Sequence, residues 1–276
     1  MHSAQIDIPY GPDPRQVIDF HPTPGQGPHP LLIYIHGGGW RGGDKTQDTD
    51  AFRPYLEQGI SYAAVNYRLT DTAILPAPVY DAARAVQFIR SNAEAWNIDP
   101  QRLALTGGSA GACTSMWLLY HTDLADPQAA DPIARQSTRV SAAAVAGGQT
   151  SIDPRIIEPW LGPQVLEHQM IYRSVGAESV AQALEKYPSY EALYREFSPI
   201  NHIEADAPPL LMTYDHNMTL PSQNPGHGIH HPVYGVKLQQ RARELGVECH
   251  LLIEGVSQSD RYTSPQQFLF DKLLDS

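Results

Sequence analysis

The chain reads as an α/β protein: one domain over residues 1–276, with a mostly parallel central sheet flanked by helices and a lid-like helical insertion over 152–204. Three observations predict this. Apolar, β-branched runs alternate with amphipathic helical segments along most of the length, and that rhythm folds as parallel strands joined by right-handed crossovers. A serine stands in G-x-S-x-G, Gly107–Gly111, between a strand pattern and a helix pattern. A second glycine cluster, HGGGW at His36–Trp40, follows directly on a buried-looking strand.

The elements follow in order. AQIDIPYG and RQVIDFHP alternate apolar and polar residues around a Gly/Pro-rich turn and read as an antiparallel pair. HPLLIYI is a continuous apolar run, as expected of a strand buried on both faces. DTDAFRPYLEQG has helical spacing and a terminal glycine, and ISYAAVNYRL is the next strand. APVYDAARAVQFIRSNAEAWNID predicts a long amphipathic helix whose broad apolar face carries Ala83, Val86, Phe88, Ile89 and Trp96. RLALTGGSAGACTSMWLLYH passes from strand through a tight turn into a helix, and VSAAAVAGG is a strand of small residues. The rhythm breaks at about 152–204, where aromatic, helical segments read as an insertion over the carboxyl edge of the sheet, the edge at which such folds bind ligands. It resumes with APPLLMTYD (strand), VYGVKLQQRARELG (helix), VECHLLIEG (strand) and SPQQFLFDKLL (helix).

Composition narrows the functions. An apolar fraction of 42% and a charged fraction of 18% suit a soluble globular chain. A net charge of -11 disfavours nucleic acid and anionic membranes, both of which need a basic surface. No apolar run approaches the ~18 residues of a membrane span. Cys113 and Cys249 read as small buried residues rather than a disulfide or metal ligands. The first residues, MHSAQIDIPYGPD, have neither a basic start nor an apolar core and do not read as a signal peptide. The compartment stays open between the cytoplasm and a secreted form whose leader has been removed, and the oligomeric state is open too.

The two glycine motifs carry the chemistry. A sharp strand-to-helix turn lifts the Ser109 oxygen above the sheet, and glycines two before and two after make room where strand and helix nearly touch. Ser109 also stands at a helix N-terminus, whose free amides face a developing anion. In HGGGW the absence of side chains lets backbone N–H groups approach a tetrahedral oxyanion, each worth roughly 3 kcal/mol in the transition state. A phosphate-cradling loop is the competing reading, but the Lys-Ser/Thr ending it requires is missing. His36 reads as a brace for the glycines rather than a base. Asp44 and Lys45 read as surface charges or loop braces. Trp40, Trp117, Trp160 and Tyr172 are candidates to line an acyl or sugar pocket, with core packing the better reading of Trp117.

HGGGWRGGDK, DAARAVQFIRSNAEAWNIDPQRLALTGGSAGA, FSPINHI and PPLLMTY together resemble the α/β-hydrolase superfamily, in particular the hormone-sensitive-lipase-like esterases and the small feruloyl and acetyl-xylan type esterases. The resemblance runs from about residue 6 to the end and weakens through the insertion. It implies Ser109 as nucleophile and the backbone N–H groups of Gly38, Gly39 and Ala110 as the oxyanion hole. It implies hydrolysis of carboxylic esters through an acyl-enzyme, with no cofactor and no metal.

The resemblance fails at the other two members of the triad. The family acid follows the strand LLMTY; counting back from Pro221 gives Asn217, and counting forward from the strand gives Asp215. The family histidine follows the next strand, where the alignment gives Gln258. The triad therefore reads Ser109, Asn217, Gln258, which keeps polarity and loses proton transfer. Losing the serine or histidine of a working triad costs about 10⁶ in kcat. A substitute base stands in the long loop DHNMTLPSQNPGHGIHHPVYG, at the carboxyl end of a strand: His230, His231 or His227, with Asp215 or Asp260 to orient it. Triads are defined by geometry, not chain position. The alternatives are loop histidines, His216 among them, held by backbone contacts, and a metal site using Asp215 with several of them, for which H-x-x-H-H is a weak spacing. The function expected is a serine carboxylesterase acting on a small or carbohydrate-linked acyl ester. A non-catalytic hydrolase-fold protein that binds an ester or sugar, and an arylformamidase-like amide hydrolase, are the alternatives.

Overall fold

Eight strands form one sheet among the residues described, 3–256 and 259–274 of the computed structural model. They are β1 (Gln5–Pro9), β2 (Val17–His21), β3 (His29–Ile35), β4 (Ser61–Val65), β5 (Ile98–Gly108), β6 (Ala142–Ala146), β7 (Leu210–Tyr214) and β8 (Cys249–Ile253). Their spatial order is β1-β2-β4-β3-β5-β6-β7-β8. The leading hairpin and its junction with β4 are antiparallel; every later pairing is parallel. All five residues of β4 are buried, which is why the run shows no polar alternation, whereas edge strand β1 is mostly exposed.

Helices cover both faces. Against one lie α2 (Ala77–Ser91), α3 (Ala110–Tyr120), the insertion and α9 (Val233–Leu245), around Ile33, Ile35, Leu105, Met116 and Tyr194. Against the other lie α1 (Thr49–Glu57) and α10 (Pro265–Leu274), around Leu32, Ala104, Leu211, Phe52 and Phe268. Parallel pairing puts the carboxyl ends of β3 to β8 on one edge, and the turns after β3, β5 and β7 meet there.

Two expectations need correction. The helix expected to run to residue 99 ends at Ser91. Asn92 donates from its side chain to Phe88 O, and Trp96 leaves the helix to stack on Phe20 at 4.4 Å between ring centroids, with Asn97 left-handed at φ 54. A buried aromatic stack outweighs a few residues of helix propensity. Between β7 and α9 the sequence suggests only a loop, yet Pro225–Ile229 forms a short helix, α8. Asn224 caps it by accepting from His227 N, and Pro225 occupies the first turn, where its missing N–H costs nothing.

The insertion contains α4 (Pro154–Leu161), a 3-10 turn (Pro163–Glu167), α5 (Gln169–Arg173), α6 (Val180–Glu185) and α7 (Tyr187–Glu196). Asp153 joins its ends: the carboxylate caps α4 through Arg155 N and accepts from Tyr187 OH at 2.7 Å. Cys113 is buried and Cys249 half-buried, and both are free thiols. No helix among the described residues is long and apolar enough to cross a membrane.

Candidate active site

Ser109 occupies the single residue between β5 and α3, at φ 54 and ψ −123. A non-glycine residue pays roughly 1–3 kcal/mol for such a conformation, so the surroundings must hold it. Its N–H donates to Ala146 O, and its carbonyl accepts from Cys113 N, both at 2.9 Å. The flanking glycines explain how strand and helix come this close. A Cβ on Gly111 would sit 2.0 Å from Ile35 O, and one on Gly107 2.4 Å from the same oxygen.

The HGGGW turn lies beside it. Gly38 and Gly39 have φ of 95 and 62, and the Gly38 carbonyl accepts from the N–H groups of Arg41 and Gly42. The N–H groups of Gly38, Gly39 and Ala110 donate to nothing among the described residues. Gly38, Gly39 and Ser109 border one cleft. Free amides beside a serine hydroxyl are groups that could receive an oxyanion.

His36 braces this turn. Its Nε2 lies 3.3 Å from Arg15 Nη2, a donor only, so the other ring nitrogen carries the proton and donates to Gly37 O at 2.8 Å. Burial drives its pKa down to about 4, which keeps the ring neutral. Tyr67 stacks on it at 4.2 Å and donates from its hydroxyl to His36 O. Trp40 is fully buried and ties the turn to α3 by donating from Nε1 to Thr114 Oγ1 at 2.9 Å. Trp117 is likewise buried, donating to Glu196 O. Lys45 is a buried brace rather than a surface charge, paired with Asp7 and Asp19 at 2.8 Å each.

His230 reaches Ser109. Its Nε2 lies 2.9 Å from Ser109 Oγ, across 121 residues of sequence. Its Nδ1 lies 3.0 Å from Gly226 O. A carbonyl can only accept, so in the neutral ring Nδ1 carries the proton and the Nε2 lone pair faces the serine hydroxyl. The group behind the histidine is thus a main-chain oxygen of α8.

The neighbouring histidines turn away. His227 accepts at Nδ1 from Gln223 N and bonds Asn217 O through Nε2. His231 is buried, accepts at Nδ1 from Val233 N and donates from Nε2 to Thr219 O. Both pin the 217–224 loop, and burial lowers the pKa of His231. Asp215 pairs with His216 at 2.6 Å, and neither Asp215 nor Asp260 bonds to His230. Asn217 caps its own turn by accepting from Thr219 N. Gln258 lies outside the described residues. Asp215, His216 and Glu254 bring possible ligand atoms within 4.8 Å of one another, but all three are exposed and the loop's other histidines take no part.

Ser109 and His230 stand between two halves of an open cleft. One half, about 510 Å³, is lined by Ala146, Gly147, Thr213 and Tyr214, with Asp215 and Glu254 at its mouth. The other, about 560 Å³, is bordered by the Gly38–Gly39 turn, Arg41 and residues 167–170 of the insertion. Sequence reasoning missed two neighbours of His230. The Gly226 oxygen carries no side-chain signal at all; only Asn224-Pro225, a helix start, hinted at an ordered turn. His168 sits in the segment where the resemblance is weakest.

The BD-FAE family model matches residues 19–220. Esterase LipQ of Mycobacterium tuberculosis is 28% identical over 219 residues, covering 77% of this chain and 49% of its own length. Probable isoprenylcysteine alpha-carbonyl methylesterase ICMEL1 of Oryza sativa subsp. japonica is 32% identical over 122 residues, 43% of this chain and 29% of that protein. The chain thus spans half or less of the length of these curated relatives. Among solved structures, a truncated carbohydrate esterase from gut microbiota superposes with TM-score 0.69 at 19% identity, covering 91% of this chain and 87% of that one. An acetyl ester-xyloside bifunctional hydrolase from Caldicellulosiruptor lactoaceticus gives TM-score 0.67 at 20% identity, covering 94% and 83%. At such identity the structures speak for the fold, and the match at 19–220, which takes in the His36–Trp40 and Gly107–Gly111 turns and stops short of His230, speaks for descent: the chain belongs to the BD-FAE family of the α/β-hydrolase superfamily.

Proposed function

We propose that this protein is a serine carboxylesterase in which Ser109 is the nucleophile, His230 the general base and the Gly226 carbonyl the group that orients it. The observation that carries the reading is the 2.9 Å contact between His230 Nε2 and Ser109 Oγ. A protein that only binds esters has no use for that alignment. Ser109 Oγ attacks the ester carbonyl carbon while its proton passes to His230 Nε2, and the oxyanion forms against the N–H groups of Gly38, Gly39 and Ala110. On collapse His230 returns the proton to the departing alkoxide, leaving acyl-Ser109. Water, deprotonated by the same nitrogen, then attacks the acyl carbon; as the bond to Ser109 Oγ breaks, His230 returns the proton to that oxygen and the acid leaves.

The carbonyl performs half of a carboxylate's task. It holds the productive tautomer, whose loss in a serine protease costs about 10⁴ in kcat. It stabilises the imidazolium less, because a charge-assisted hydrogen bond is about twice as strong as a neutral one. The shortfall of roughly 1–1.5 kcal/mol corresponds to about a tenfold slower enzyme than one with a carboxylate behind its histidine.

The substrate is a small or carbohydrate-linked acyl ester. The names of the related esterases and carbohydrate esterases support this, as does a cleft open on both sides of the serine. The helical insertion acts as a partial lid, since its 167–170 turn borders that cleft. Hydrolysis of 4-nitrophenyl acetate tests the assignment. The wild type should turn over and be labelled at Ser109 by a fluorophosphonate, and Ser109→Ala should lose at least about 10⁴ in kcat. A variant that keeps the wild-type rate would refute it.

A further inference from the structure

Among the described residues a second imidazole, that of His168, borders the same cleft as Ser109 and His230, and its hydrogen bonds leave it half used. It caps α5 by accepting at Nδ1 from Met170 N at 3.3 Å. A ring nitrogen that accepts carries no proton, so the proton of the neutral ring is on Nε2. That N–H has no partner among the described residues. The half-buried ring borders the cleft half that holds Gly38, Gly39, Ser109 and His230. A Cβ built on Gly39 would lie 3.9 Å from its Cε1, and its centroid is 6.4 Å from that of His230, with the rings steeply inclined at 73°. Burial, followed by repulsion from His230, pulls its pKa down to about 4, so at neutral pH the ring is an uncharged donor.

We propose that His168 is a specificity-determining residue, donating from Nε2 to an acceptor oxygen that the substrate carries near its scissile ester. The proposal rests on the esterase reading above. A substrate filling this half of the cleft covers the Nε2–H and removes it from water. An ester with an ether or hydroxyl oxygen within a few bonds of the reacting carbonyl then satisfies it, and a plain alkyl ester leaves it unpaired. An unpaired buried donor is penalised more heavily than a made bond is rewarded, so selection works largely against the plain ester. The acceptor oxygen belongs either to the acyl part, as in an alkoxy- or hydroxyacyl ester, or to the alcohol, as in the ester of a diol or sugar.

Paired substrates separate the two sources. One arm compares 4-nitrophenyl methoxyacetate with 4-nitrophenyl butyrate; the other compares 2-hydroxyethyl acetate with propyl acetate, followed by pH-stat. The readout is the ratio of kcat/KM within each pair, wild type against variant, which cancels the esters' intrinsic reactivities. His168→Ser keeps an oxygen to cap α5 and removes the imidazole N–H, its hydroxyl standing back on a one-carbon side chain. In one arm its ratio should fall about five- to tenfold, the worth of one neutral hydrogen bond. His168→Gln returns a donor amide and should recover part of that ratio. Ratios within twofold of wild type in both arms for His168→Ser would overturn the proposal, and so would an equal fall in His168→Gln, which would assign the loss to packing. Absence of any Ser109-dependent turnover, plain esters included, would instead sink the esterase reading and this proposal with it.

Discussion

Replacing His230 by alanine should separate turnover from stability, and replacing His231 should do the reverse. The His230 side chain is exposed and its two polar contacts are to Ser109 Oγ and Gly226 O. Removing it costs no core packing, so the loss of stability is at most about 1 kcal/mol. It removes the imidazole in contact with Ser109 Oγ, the proposed base, and the loss of kcat should be about 10⁴–10⁶. His231 is the next residue, fully buried, and both its ring nitrogens are bonded, to Thr219 O and Val233 N. His231→Ala breaks both bonds and leaves a cavity, a cost of roughly 2–4 kcal/mol. At about 2–4 °C per kcal/mol for a domain of this size, melting should fall by roughly 5–15 °C. The Ser109–His230 contact survives, so kcat of the folded protein should stay within about tenfold. The assay pairs 4-nitrophenyl acetate hydrolysis below the melting transition with a thermal melt of each variant. If His230→Ala kept more than about 1% of wild-type kcat, or folded His231→Ala lost about 10⁴, the base would have been assigned to the wrong residue.

Other outcomes follow from the same geometry. Gly111→Ala, whose new Cβ would meet Ile35 O at 2.0 Å and His36 O at 2.6 Å, should cost about 3 kcal/mol or more and yield little folded protein; normal expression and melting would contradict the close approach. Stability should fall on acidification. His36 has its folded pKa depressed from 6.5 to about 4, so below pH 6.5 the unfolded chain takes up its proton first. The stabilisation present at neutral pH, about 3 kcal/mol from this residue alone, is therefore lost progressively between pH 6.5 and 4. Urea midpoints equal at pH 7 and pH 4.5 would refute a neutral, buried His36. The double change Asn217→Asp with Gln258→His should alter esterase kcat by less than about threefold if His230 is the base, as proposed; a rise of orders of magnitude would show that the family's usual position, not His230, limits the reaction.

Much of the molecule was legible from local sequence. The strand and helix runs, the antiparallel start and the insertion at 152–204 follow from apolar periodicity. The elbow at Ser109 and the turn at His36–Trp40 follow from glycines where a side chain has no room. Such signals are local: each constraint acts within a few residues of the one that records it. They break down where tertiary contacts outbid local preference, as when Trp96 leaves its helix to stack on Phe20. The loop carrying His227, His230 and His231 was legible as the place for a base, but the choice among them was not. Over this short segment a step of one to three residues swings a side chain from the cleft to the core, so chemically identical residues end with Ser109, with Asn217 O or with Thr219 O. The orienting group lay further beyond reach, because a backbone oxygen is present at every residue and only the path of α8 decides which one faces an imidazole. Sequence alone therefore determined the turns at Ser109 and at Gly38–Gly39, whose demands are steric and local; which histidine meets Ser109 was decided by the tertiary structure, because that contact joins segments 121 residues apart, and the Gly226 oxygen behind it, only four residues away, is set by the path of α8.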